Sequence, residues 1–135
     1  MKAIYNTTLI FLCLAVLASC KKYAGGTNDY NHGVPRTIQF LLYTRNNFAD
    51  NNHTITFTAS IKDQADRVLW DSVMPSILIK DIPDFDHKIN FAKTVNNNSI
   101  LKVGFYYTIQ DVGYSWFIDT CGKNTLFKTV DYNFQ

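Results

Sequence analysis

The sequence predicts an all-β domain: a single antiparallel β-sandwich of about eight short strands, Ig-like or transthyretin-like in arrangement. Three observations predict it. After residue 35, apolar residues recur with a period of two along most of the chain. Clusters of Asn, Asp, Gly and Pro break these runs every ~8 to 12 residues, the spacing of short paired strands. No segment of that region shows the 3.6-residue spacing of an amphipathic helix. Composition agrees, because 15% of residues are aromatic and only 18% charged, which suits a β-rich core rather than a solvated tail.

Each element follows from its own pattern. From Arg36, Ile38, Phe40 and Leu42 alternate with Gln39, Leu41 and Tyr43, and Asn46 to Asn52 is a loop. Ile55, Phe57, Ala59 and Ile61 then face one way while Thr54, Thr56, Thr58, Ser60 and Lys62 face the other, a half-buried strand. Asp63-Gln64-Ala65-Asp66 turns the chain into a strand over Arg67–Val73. Pro75 breaks the chain, and Ile77–Lys80 reads as a short strand ended by Ile82-Pro83. Lys88–Val95 carries Ile89 and Phe91 on its apolar face, and Asn96-Asn97-Asn98-Ser99 is a turn cluster. Leu101, Val103, Phe105, Tyr107 and Ile109 form the strongest alternation, followed by Gln110-Asp111-Val112-Gly113 and then Tyr114, Trp116 and Ile118. Two such runs across a short Asp- and Gly-containing connection are a β-hairpin. Leu126–Phe134 closes the chain with Val130, Tyr132 and Phe134 in phase.

The N-terminal quarter reads differently. Lys2 precedes an apolar run, Leu9–Leu17, and no charge interrupts Ala3 to Ser19. A run this short does not span a bilayer, which takes about 20 apolar residues, but it has the proportions of a secretory signal. Leu17-Ala18-Ser19 stands directly before Cys20. This segment resembles the lipobox of bacterial lipoproteins. The resemblance implies that residues 1–19 are removed and that the Cys20 thiol carries a diacylglyceryl group, with the new amino terminus usually acylated. Two or more acyl chains anchor stably where one holds only reversibly, and Lys21 and Lys22 would lie among the headgroups. Residues 20–35 hold three glycines and no apolar periodicity, so they read as a flexible tether with a reach on the order of 20 Å. The folded domain is then 36–135.

The pattern as a whole is similar to small lipoproteins of Bacteroidota-type Gram-negative bacteria. The residues carrying the resemblance are Cys20-Lys21-Lys22, Leu69-Trp70-Asp71-Ser72, Lys80-Asp81-Ile82-Pro83, Lys102-Val103-Gly104-Phe105 and Val130–Phe134. It implies an outer-membrane, lipid-anchored location, on the periplasmic face or the cell surface, and a β-sandwich; it implies no activity. Asp71-Ser72-Val73 also resembles the three-residue O-glycosylation site of exported proteins from such bacteria, and a solvent-facing strand residue explains it equally well.

Charge and chemistry narrow the function classes. Without the signal the chain has 12 basic and 11 acidic residues, and no clustered basic face of the kind that nucleic acid requires. Cys121 is the one thiol left in the domain, so no internal disulfide forms, and a lone cysteine is most often a small buried hydrophobe. Asp81, Asp84 and Asp86 beside His87 offer hard oxygen ligands without EF-hand spacing, and a solvated loop is the simpler reading. His32, His53 and His87 lack metal-ligand spacing. Ser72 and Cys121 have no motif that pairs them with a base. The expectation is therefore no catalysis and no cofactor.

Aromatic side chains are the remaining signal. On the hairpin, Tyr106 and Phe117 fall on the face opposite the main alternation, and with Tyr43 they are the candidate ligand-binding residues. Trp70 and Trp116 share a phase with apolar neighbours and are expected to fill the core. Two partner classes follow: a glycan stacked on an aromatic platform, or an envelope protein paired with the Leu126–Phe134 strand as a free edge.

Overall fold

The computed structural model describes residues 33–135. Cys20, the lipobox, the tether up to residue 32 and His32 lie outside the described residues. Eight strands form two sheets packed face to face: β1 (Pro35–Thr44), β2 (Thr54–Asp63), β3 (Val68–Val73), β4 (Ile77–Leu78), β5 (Ile89–Asn96), β6 (Leu101–Ile109), β7 (Gly113–Cys121) and β8 (Phe127–Phe134). The smaller sheet has the order β5-β1-β8, and the larger runs β3-β2-β6-β7 with β4 added to β2. The all-β class is as the period-two pattern predicts. One pairing differs from a wholly antiparallel plan, because β1 and β8 are parallel. The chain crosses between sheets after β7, so β8 starts at the same end of the sandwich as β1. That end is called the entry end below. A second difference is local: the Ile77–Lys80 strand stops at Leu78, and Ile79–Asp81 winds into a single 3-10 turn.

The core lies between the sheets. Ile38, Phe40 and Leu42 of β1 meet Ile55, Phe57, Ala59 and Ile61 of β2, Leu101, Val103 and Phe105 of β6, and Val130, Tyr132 and Phe134 of β8, all buried. Alternation puts these residues on one face of each strand, and a face of this size contributes most of the stability by leaving water. The rings interlock: Phe105 meets Phe40 edge-on at 5.5 Å between centroids, and Phe57 meets Phe134 edge-on at 5.9 Å. Trp70 joins this cluster, 5.8 Å from Phe40 and 6.3 Å from Phe91, as expected.

Five charged residues share the inward phase, Arg36, Asp63, Lys93, Lys128 and, opposite Val103, Asp119, and each has a physical answer. Arg36 is wholly buried at the entry end. Its Nε donates to the Thr125 carbonyl, Nη1 to the Ser99 carbonyl, and Nη2 to the Cys121 and Gly122 carbonyls, with the Cys121 Sγ at 2.9 Å. The guanidinium fork thus satisfies the open ends of β6, β7 and β8 at once. Asp63 is also buried, and its carboxylate accepts from the Ala65 and Arg67 amides and from Arg67 Nε. That holds the β2–β3 turn, in which Asp66 takes a left-handed φ of 63°. Lys93 of β5 and Lys128 of β8 both pair with Ile38 in register. Lys93 points over the Trp70 ring, and Lys128 bonds Asp119 of β7 at 2.6 Å.

Gly104 shows why β6 and β7 can lie so close. A Cβ there would stand 2.0 Å from the Phe117 carbonyl oxygen and 2.9 Å from the Ile118 Cα. No other residue fits at that position without moving backbone. At the hairpin tip Asp111 (φ 61°) and Gly113 (φ 140°) provide the left-handed turn the connection needs.

Candidate functional site

The outer face of the larger sheet is the feature that stands apart. Register fixes its rows: Thr56–Thr108–Tyr114, then Thr58–Tyr106–Trp116, then Ser60–Gly104–Ile118, then Lys62–Lys102–Thr120. Tyr114 and Trp116 are two apart on edge strand β7, so they project from the same face. They stack with centroids 5.9 Å apart and planes 28° from parallel. Both are open to solvent, Tyr114 at 76% and Trp116 at 58% exposure. Among the described residues no second layer covers this side of the sheet, and Tyr114 and Trp116 keep most of their surface in solvent.

Tyr106 flanks the pair as the direct cross-strand partner of Trp116. Its phenol oxygen accepts a hydrogen bond from Lys62 Nζ at 2.8 Å, and that ammonium lies 4.3 Å from the ring centroid. Thr58 sits two residues from Ser60 and four from Lys62 on β2, so the phenol must reach past the Gly104 row to meet Lys62. Missing a side chain, Gly104 leaves room for it. The result is a strip: two exposed rings at one end, a half-buried phenol held by an ammonium at the other, and threonine hydroxyls alongside. Aromatic faces offer apolar area with a directed quadrupole, while hydroxyls donate and accept. Such a strip can take a flat, polyhydroxylated ring.

The sequence-derived grouping of Tyr106, Phe117 and Tyr43 does not survive this geometry. Phe105 pairs with Phe117 and Tyr106 with Trp116, so Phe117 faces the core, where it stacks on Tyr132 at 4.7 Å. Tyr43 lies on the outer side of the other sheet, 5% exposed, with Phe85 edge-on at 5.0 Å and the Arg45 guanidinium over its ring. Only Tyr106 stays on the open face, and its companions are Trp116 and Tyr114. Trp116, expected in the core, is thereby corrected to the surface. The missed signal was register, since a hairpin connection one residue different in length swaps the faces of one strand.

The other candidates are placed as follows. Asp84 accepts from the His87 amide and its Nδ1, the latter at 2.7 Å, in an exposed turn; these bonds hold its carboxyl below the usual range. Asp81 and Asp86 do not converge on it, and no group of three His, Cys, Asp or Glu side chains gathers among the described residues. Cys121 is buried against Arg36. Ser72 is exposed on β3 and borders an apolar cleft of about 420 Å³ with Phe57, Met74, Ile77, Ile89 and Phe91. Burial, together with a contact to Tyr107, raises the Tyr132 phenol well above its ordinary value, so it stays protonated. None of the described residues forms a helix long and apolar enough to cross a membrane. Comparison with protein-family models, curated proteins and solved structures finds no match for this chain.

Proposed function

We propose that this chain is a lipid-anchored cell-envelope protein whose folded domain binds carbohydrate and carries out no catalysis. The observation that carries the reading is the exposed Tyr114–Trp116 stack beside Tyr106. An exposed indole stacked on an exposed phenol leaves apolar area in water that the fold itself does not use, and such patches mark interaction sites. Flanking threonines match a hydroxylated ligand better than an apolar one. The anchor rests on Leu17-Ala18-Ser19-Cys20, and the resemblance to Bacteroidota-type lipoproteins supports an outer-membrane location, facing the periplasm or the exterior.

Affinity electrophoresis through gels cast with individual plant and microbial polysaccharides tests the binding. At least one polysaccharide is expected to retard the protein, and Trp116→Ala is expected to abolish the retardation. No retardation by any polysaccharide would remove the reading. The anchor has its own test: Cys20→Ser should move the protein from the membrane to the soluble fraction.

A second reading, partner pairing along β8, has one observation in its favour, because β8 is an edge strand. Against it stands Lys128, inward-facing and tied to Asp119. Inward lysines at a sheet edge resist strand addition, and the opposite edge, β5, carries Lys93 at the same level. The aromatic face is the stronger candidate.

A further inference from the structure

We propose that the entry end of the sandwich rests against an anionic lipid bilayer, as a contact separate from any acyl anchor. Arg36 assembles this surface. Its guanidinium takes the Ser99 carbonyl with one nitrogen and the Thr125 carbonyl with another, which draws two loops together. Each of those carbonyls is followed by an exposed apolar residue, Ile100 at 37% and Leu126 at 60%. Phe127 comes next at 56%, and Val34, two residues before Arg36, is 47% exposed. Four exposed apolar residues from three separate segments thus stand beside Arg36 or the carbonyls it holds along the chain. Scattered apolar residues need no explanation, but a cluster gathered by one structural device marks a contact surface.

Charge says what the surface faces. At this end the carboxylates of Asp63 and Asp66 are taken by Arg67 and Lys102, each at 2.7 Å. Lys123, in the loop between β7 and β8, has no carboxylate partner among the described residues. The opposite end is acidic: Asp50, Asp81, Asp84, Asp86 and Asp111 against Arg45, Lys80 and Lys88. A molecule with apolar tips and a free ammonium at one end, and an acidic excess at the other, is polarised for an anionic interface. The chain also joins β1 at this end, downstream of its apolar Leu9–Leu17 run. The Tyr114–Trp116 pair lies toward the opposite end of β7, so bilayer contact would leave it open.

The inference leans on membrane association of the full chain but not on carbohydrate binding. Methyl-labelled full-length protein, incorporated into nanodiscs of phosphatidylethanolamine and phosphatidylglycerol with a spin-labelled lipid, tests it by NMR. Co-migration with the discs reads the anchor, and line broadening reads the contact. The expected result is strong broadening of the Val34, Ile100 and Leu126 methyls with Val112, at the hairpin tip, unaffected. A Leu126→Asp/Phe127→Asp double variant should still co-migrate, melt with the parent and lose at least half of the broadening. Co-migration without preferential broadening at the entry end would overturn the contact while leaving the anchor intact. Loss of co-migration altogether would overturn both.

Discussion

Arg36 should be the residue whose loss the domain tolerates least. It is wholly buried, and four backbone carbonyls from the loop before β6, the end of β7 and the loop before β8 converge on its guanidinium. Arg36→Met keeps much of the volume and removes every donor. Hydrogen bonds to a charged group contribute roughly 1.5–3 kcal/mol each. Reopening of the loops to water returns part of this, and breaking a buried charged network costs about 3–5 kcal/mol net. In a domain of this size 1 kcal/mol moves Tm by roughly 4–8 °C. The expected fall is therefore about 12 °C or more, read by far-UV circular dichroism on heating. Arg36→Lys keeps the charge but not the planar fork, and should recover less than half of the loss. Hydrogen exchange should report local opening of Ser99–Leu101 and Cys121–Leu126 in both variants. An Arg36→Met protein melting within about 3 °C of the parent would refute the assignment, as would full rescue by lysine.

Three further outcomes follow from the same geometry. Gly104→Ala should destabilise by about 1–3 kcal/mol in urea unfolding, because the added methyl meets the Phe117 carbonyl and strand backbone cannot yield as a side chain can. Phe117→Ala should cost about 3 kcal/mol through its lost packing on Tyr132, whereas Trp116→Ala should melt with the parent; equal effects would contradict the register of β6 and β7. For pH, Asp63 is raised by burial but brought lower overall by its bonds from Arg67 and Ala65, and Asp119 is lowered by Lys128. Groups depressed in the folded state release protons that the unfolded chain would keep near its ordinary carboxylate value of about 3.9, so their stabilisation is present above that pH and fades below it. Tm should thus be level from about pH 8 to 5 and fall below about pH 4; a fall that begins near pH 6 would contradict this assignment.

Much of the fold was legible because alternation reports directly on which side of a strand is wet. Residues 38, 40 and 42, or 55, 57, 59 and 61, could pack in only one way. The same parity already held Arg36, Asp63, Lys93 and Lys128 on inward phases, yet side-chain type alone gave no hint of their partners. Those partners are backbone carbonyls, a turn, a tryptophan ring and a carboxylate from the other sheet, all remote in sequence. The parallel β1–β8 pair was hidden for a related reason, since the direction of a closing strand depends on a crossover and not on its own residues. The candidate site was half legible. Tyr106 was placed on the outer face by its own strand's pattern, but choosing between Trp116 and Phe117 required the register of the turn, a difference of one residue over Gln110–Gly113.

Carbohydrate binding at the Tyr114–Trp116 face is the central proposed property of this domain. Its most direct test is retardation of the wild-type protein, Trp116→Ala and Phe117→Leu on one set of polysaccharide gels. Wild type and Phe117→Leu should be retarded by the same polysaccharide, and Trp116→Ala should migrate freely. Retardation that survives Trp116→Ala, or that disappears only with Phe117→Leu, would contradict it.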